Sequence, residues 1–272
     1  MKKISVITIS FNSAATIRET IESVLGQNYP ALEYIIMDGG STDGTMDIVR
    51  EYGDRIAVAV SEKDHGISDA FNKGIRAATG EIVGIINSDD LLYPGALQAV
   101  SDAFEANPEA DIAHGDMLRF QDGDTKGRLV RPDPDVSKLK SSFLLNHPSV
   151  YVRRTAYERW GTFNCDYKNA MDYELLSRMY FAGAKFVYVP KVLSCFRMGG
   201  VSESADKRTR QEHKRVARRN GTSAFRAWWT EASTAARLRA IRLAKKVGLY
   251  DAARAAVMHP EYRNLDGSDT EA

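Results

Sequence analysis

Ile82-Val83-Gly84-Ile85-Ile86-Asn87-Ser88-Asp89-Asp90 is a short apolar run that ends abruptly in an amide and two adjacent carboxylates. A run this apolar has no polar face to offer water, so it reads as a strand covered on both sides. The same unit recurs outward from it. Toward the N-terminus, residues 67–78 read as a helix, 56–60 as a strand, 43–52 as a helix and 34–37 as a strand. Before these, Ile17, Ile21, Val24 and Leu25 recur at helical spacing behind a strand over 4–11. Residues 97–104 add a helix on the other side. Four strands separated by helices predict a doubly wound, mainly parallel α/β sheet, in which ligands bind beyond the carboxyl ends of the strands.

After Pro108 the pattern changes. Residues 112–120 and 129–130 read as strands joined by the Asp122-Gly123-Asp124 turn, a hairpin in place of a crossover. A strand at 149–152, a helix at 172–181 and an extended stretch at 185–196 follow, then only helices from Ser202. The expected organisation is one α/β unit over 1–202, a basic helical segment over 203–263 as its C-terminal appendage, and a polar, disordered tail over 264–272. A chain of 272 residues with 43% hydrophobic content suits one large domain with an appendage.

Two cysteines, Cys165 and Cys195, are too few for a disulfide framework and lack metal-ligand spacing, which points to structural, reduced thiols. No run of about eighteen apolar residues occurs, and Met1-Lys2-Lys3 leads into a strand rather than a signal peptide, so a cytoplasmic protein is expected. The net charge of +1 conceals an asymmetry. Thirteen Lys and Arg face four Asp and Glu between Glu203 and Lys246, a local balance of +9.

The residues that follow each strand carry the candidate chemistry. Asp38-Gly39-Gly40-Ser41-Thr42-Asp43-Gly44-Thr45 has glycines that permit a ligand to approach the backbone, and an Asp on the ligand-facing edge suits acceptance from a base N–H or a ribose hydroxyl. Ser41, Thr42 or Asp43 equally suits capping of the next helix. No G-x-G-x-x-G follows the first strand and no P-loop lysine is present, which disfavours NAD and ATP cradles. Asp89 and Asp90 repel each other in a low dielectric unless a cation offsets them, and hard oxygen ligands suit Mg²⁺ or Mn²⁺ with phosphate oxygens. An exposed turn before the helix near Pro94 is the plainer alternative. Ile67, Ala70, Phe71, Gly74 and Ile75 form a buried stripe, placing Asp69, Asn72 and Lys73 on the opposite face, either for ligand contact or as a solvated Asp69–Lys73 pair. Asp172 opens its helix and suits either the positive helix end or a general base.

In order along the chain, Ser5 to Asn12, Asp38 to Thr45 and Asn87-Ser88-Asp89 resemble the inverting family-two glycosyltransferases of GT-A fold, of the bacterial polysaccharide and cell-envelope type, over residues 3–202. Asn87 stands where that family's D-x-D has its first Asp, and Met171 replaces the Glu that usually precedes the base. The resemblance implies transfer of a hexosyl or N-acetylhexosaminyl group from a nucleotide diphosphate sugar, UDP first. It places Asp38 at the base, the metal, Mn²⁺ or Mg²⁺, at Asp89, and the general base at Asp172. It further implies donor contacts from Ser10, Asn12, Asp64, Asp69, Asn72, Asn87, Asp90 and Arg197. His147-Pro148-Ser149 resembles a later family segment near the acceptor.

The expected partners are a nucleotide-sugar donor and a glycan or lipid-linked acceptor. Residues 207–246, which include Phe225, Trp228 and Trp229, suit contact with the anionic cytoplasmic face of the inner membrane or an appendage closing over the core. Nucleic acid is not expected, because no recognised module accompanies the charge. The competing readings are a catalytically silent nucleotide-sugar-binding module and a sugar-phosphate nucleotidyltransferase. The latter wants a glycine-rich basic first loop that Ser10-Phe11-Asn12-Ser13 does not supply.

Overall fold

The computed structural model describes residues 1–199, 207–223 and 260–268. Its elements run β1 (Ile4–Ser10), α1 (Ile17–Leu25), β2 (Leu32–Asp38), α2 (Thr45–Arg50), β3 (Val58–Ser61), α3 (Ile67–Ala77), β4 (Ile82–Asn87), β5 (Leu91–Leu92), α4 (Ala96–Ala106), β6 (Ile112–Phe120), β7 (Lys126–Val130), β8 (Val150–Arg153), α5 (Arg154–Trp160), α6 (Met171–Phe181), β9 (Phe186–Arg197), α7 (Lys207–Arg219) and β10 (Tyr262–Asn264). The order β3-β2-β1-β4 is parallel throughout, as the alternation predicts. β8 and β6 then continue the sheet antiparallel. β9 runs parallel along the whole of β6, and its end pairs with β5.

The apolar strands are explained by two cores. Along β1, β2 and β4 successive residues point to opposite faces. Ile4, Val6, Tyr34, Ile36, Ile82 and Ile86 join one cluster with Ile17, Ile21 and Val24 of α1 and Leu97, Val100 and Phe104 of α4. Ile7, Ile35, Met37, Val83 and Ile85 join the other with Phe71 and Ile75 of α3 and Leu175, Leu176 and Met179 of α6. Glu33, 9% exposed, stitches β1 and β2 to the turn before β4. It accepts from Lys3 Nζ (2.8 Å), Ser5 Oγ (2.5 Å) and the Thr79 N–H (2.7 Å).

Three expectations change. The stripe on α3 lacks Ile67, which is 40% exposed, and includes Asn72, which is 7% exposed. The Asp122-Gly123-Asp124 turn does close an antiparallel β6–β7 hairpin, but β7 pairs on its far side with β10, where only helices were expected. Residues 264–268 are likewise not a disordered tail. Leu265 packs on the small cluster of Leu118, Phe120, Val192 and Cys195, and that one apolar side chain anchors the polar end. Residues 200–202 and 269–272, and residues 203–206 and 224–259 of the expected basic segment, lie outside the described residues.

Candidate active site

Strand register assembles the site. Ser10 pairs with Asp38, Asp38 with Ser61 and Ile9 with Asn87, so the ends of β1, β2, β3 and β4 form one edge. Asp38, 3% exposed, is the hub of that edge. One of its oxygens accepts from Ser10 Oγ (2.9 Å) and Ser41 Oγ (2.5 Å). The other accepts from the N–H groups of Gly40 (3.1 Å) and Ser41 (2.8 Å) and from Ser61 Oγ (2.6 Å). Burial acts to raise its pKa, but the Ser41, Ser61 and Ser10 donors outweigh it and hold the carboxyl below its ordinary value. Its lone pairs are spent on the chain itself.

Asn12 fastens the neighbouring loop. Its backbone sits in the left-handed region at φ 50°, which Asn tolerates better than most residues. Its N–H donates to Ser41 Oγ (2.7 Å), and its Oδ1 accepts from the Thr42 N–H (3.0 Å). Gly39 matters for space. A Cβ there would stand 2.6 Å from Asp64 Oδ2 and 3.3 Å from the Phe11 ring, so its absence lets Asp64 reach over the β2 turn. Phe11 is 64% exposed beside them. The sequence reading absorbed it into the first strand, yet an aromatic at a strand's carboxyl end just past the last buried residue is the available signal for a stacking surface.

The β4 end divides its residues between the open edge and the core. Asp90 is 1% exposed and turned inward, accepting from the Arg197 N–H (3.0 Å) and Asn87 Nδ2 (3.2 Å). Burial first, then the charge of Asp89, pushes its pKa up to about 8. Arg197 is 9% exposed. Its guanidinium donates to the Asp89 carbonyl (2.9 Å) and Glu19 (2.5 Å), and pairs with Asp122. It therefore holds the Asp89 backbone in place. Asp89 itself keeps a half-buried carboxylate whose pKa is raised by burial, opposed only by its own N–H and the charge of Arg197.

Asp172 stands at the start of α6. It lines a small cavity with His147, Phe163 and Ile85, which places it beside β4 two residues before Asn87. Burial pushes His147 below its ordinary value, against the pull of the Asp172 charge. Asn72 is directed into the fold: its side chain exchanges two 2.9 Å hydrogen bonds with the backbone of Phe163. Asp69 accepts from the His65 N–H (3.1 Å) and faces Lys73 at 3.6 Å, the ion pair that spacing allowed. Ser10, Asn12, Asp38, Asp64, Asn87 and Asp89 thus share one edge, with Asp172 alongside. Asp90, Asn72 and Arg197 support it from behind.

Among the described residues no three His, Cys, Asp or Glu side chains are grouped to enclose a metal ion. The Asp89 carboxylate still fits one. It is partly desolvated, and among the described residues no side chain donates to it, so an arriving cation would relieve the penalty of its burial. Mg²⁺ and Mn²⁺ sites commonly take one or two protein carboxylates and complete their shell with water and substrate phosphate. No helix among the described residues is long and apolar enough to cross a membrane.

The model for glycosyl transferase family 2 matches residues 5–178. An uncharacterized glycosyltransferase of Nostoc sp. is 33% identical over 127 residues, which are 46% of this chain and 39% of that protein. Staphylococcus aureus TarS 1-349, solved in complex with UDP-GlcNAc, superposes with a TM-score of 0.63 at 20% identity over 80% of this chain and 65% of that one. The mannosyltransferase PcManGT of Pyrobaculum calidifontis, solved with GDP-Man and Mn²⁺, gives 0.62 at 23% identity over 95% and 81%. The chain thus spans less than two thirds of the length of the Nostoc and staphylococcal proteins. The likeness to the solved structures establishes the GT-A fold.

Proposed function

This chain belongs to glycosyl transferase family 2, and on that premise we propose that it transfers a hexosyl or N-acetylhexosaminyl group from a nucleotide diphosphate sugar, UDP first, to an acceptor hydroxyl with inversion. The observation that carries the reading is the contrast between Asp38 and Asp89. The first carboxylate on the edge is filled by five donors of the chain, whereas the second is desolvated and left for a cation. Phe11 offers the base a flat apolar face, and Asp64, reaching over Gly39, offers it an acceptor.

A Mn²⁺ or Mg²⁺ held by Asp89 would supply electrostatic stabilisation of the charge that develops on the leaving diphosphate. Arg197 serves by fixing the Asp89 backbone, and Asp172 takes the proton from the acceptor hydroxyl as it attacks the anomeric carbon. A single displacement without a protein nucleophile inverts that carbon. The acceptor is a glycan or a lipid-linked sugar in polysaccharide or glycolipid synthesis, met at the cytoplasmic face of the membrane by the basic segment after residue 202.

The test is release of nucleoside diphosphate across a panel of UDP- and GDP-sugars, with and without Mn²⁺ or Mg²⁺, for the native chain, Asp89→Ala and Asp172→Asn. The expected result is metal-dependent transfer that both variants lose, with a kcat fall of roughly 10²–10⁴-fold for Asp172→Asn. Transfer that survives Asp89→Ala, or proceeds equally in chelator, sinks the proposal.

A further inference from the structure

α7 is basic along its length, yet its one acidic residue points inward. Glu212 is 8% exposed and accepts from three successive backbone N–H groups, those of Lys168 (3.0 Å), Asn169 (2.8 Å) and Ala170 (3.1 Å). Its other oxygen is held by Arg208 at 3.0 Å. These amides lead directly into α6. Ala170 is the residue that caps α6, and it has no side chain able to accept from the helix. The chain therefore brings a carboxylate to this turn from 42 residues away.

Further contacts of α7 follow the same turn. Thr209 Oγ1 accepts from Asn169 Nδ2 at 2.8 Å, the His213 ring lies 5.3 Å from that of Tyr173, and Arg219 pairs with Glu174 at 2.5 Å. Asp172 sits inside this span. From the other side, α3 holds the preceding loop through Asn72 on Phe163 and Ser68 on the Tyr167 carbonyl. The start of α6 is thus clamped between α3 and α7.

We propose that Glu212 is a positioning residue for the acceptor-activating carboxylate: by gathering the amides of residues 168–170 it sets where the first turn of α6, and with it Asp172, stands against β4. The proposal rests on the reading of Asp172 as general base. Charge-assisted bonds to three amides fix the backbone in direction as well as distance. Apolar packing of Val216 into the core does not. Misplacement of a reacting group by about 1 Å costs up to about 10²-fold in rate.

The experiment compares kcat and KM for transfer, donor Kd by calorimetry and thermal unfolding for the full chain and for Glu212→Ala, Glu212→Gln, Val216→Ala and Asp172→Asn. Glu212→Ala is expected to lower kcat by roughly 10- to 100-fold with donor Kd within twofold. Glu212→Gln keeps an accepting oxygen and is expected to recover part of that loss, remaining at least threefold below native. Val216→Ala is expected to lower the unfolding temperature while keeping kcat within threefold. Should Glu212→Ala not fold, the contrast between Glu212→Gln and Val216→Ala decides. A Glu212 variant with native kcat, or a Val216→Ala loss as large as that of Glu212→Ala, overturns the proposal. Asp172→Asn that retains transfer overturns the base assignment and this proposal together, whereas inactive Asp172→Asn beside fully active Glu212→Ala overturns this proposal alone.

Discussion

Asp38→Asn separates a carboxylate that builds the edge from one that meets the ligand. In the substituted chain the best arrangement turns the new NH₂ toward Ser10 and Ser41, whose hydroxyls can reverse to accept, and leaves a carbonyl oxygen for the Gly40 and Ser41 amides and Ser61. All five bonds lose their charge. Bonds to a charged group contribute about 1.5–3 kcal/mol each and neutral ones about 0.5–1.5 kcal/mol, a difference of about 1 kcal/mol per bond, so the loss is about 5 kcal/mol. For a chain of this size that lowers the unfolding temperature by roughly 10–20 °C. Circular dichroism melts read the stability, and titration of the folded variant with UDP at 20 °C reads the ligand. A melt within 2 °C of native together with abolished UDP binding would refute the reasoning, because Asp38 would then be facing the nucleotide.

Three further outcomes are expected. The Glu33 carboxyl is buried, which acts to raise its pKa, but the donors from Lys3, Ser5 and Thr79 bring it from the ordinary 4.5 to about 2. Its contribution is present above pH 4.5 and lost as pH falls from there toward 2, a term of up to about 3 kcal/mol, so Glu33→Gln should flatten the acid limb of urea midpoints between pH 7 and 3. An unchanged slope rejects this. Gly84→Ala would drive a methyl group into the buried Tyr151 ring, 2.7 Å from Cδ1, and should destabilise by about 1–3 kcal/mol in equilibrium denaturation; a neutral result shows that the β4–β8 contact can give. Gly39→Ala meets the flexible end of Asp64 and, less closely, the exposed Phe11 ring, so the melting temperature should hold within about 2 °C while UDP affinity drops severalfold, and unaltered affinity removes Asp64 from the base site.

The parallel half of the sheet was legible because β1, β2 and β4 carry apolar side chains on both faces, and period-two alternation into two cores leaves a plain trace in sequence. The placement of Asp89 at a strand end was legible for the same reason. Asn72 was not, because helical spacing separates faces without saying what covers them, and the polar-looking face of α3 lies under the 163–167 loop. Arg197 was expected among the donor contacts, but its partners Glu19, Asp89 and Asp122 come from three separate stretches that no local pattern joins. Glu212 was hidden in a basic run for the same reason. β10 gave no signal because three paired residues and Leu265 are too short for any periodicity.

The end of β9 has a bearing on how the protein is made. The Asp89 corner is closed by Arg197, whose N–H reaches Asp90 across 107 residues and whose guanidinium reaches the Asp89 carbonyl across 108. Contacts of that sequence separation are slow to form, since the loop entropy must be met before they stabilise anything. A nascent chain with β1 to β4 already emerged can pair its parallel strands, yet its acidic corner lacks the Arg197 brace until the second half of the polypeptide has left the ribosome. The Arg197 brace on residues 89 and 90 is therefore among the last features acquired during synthesis.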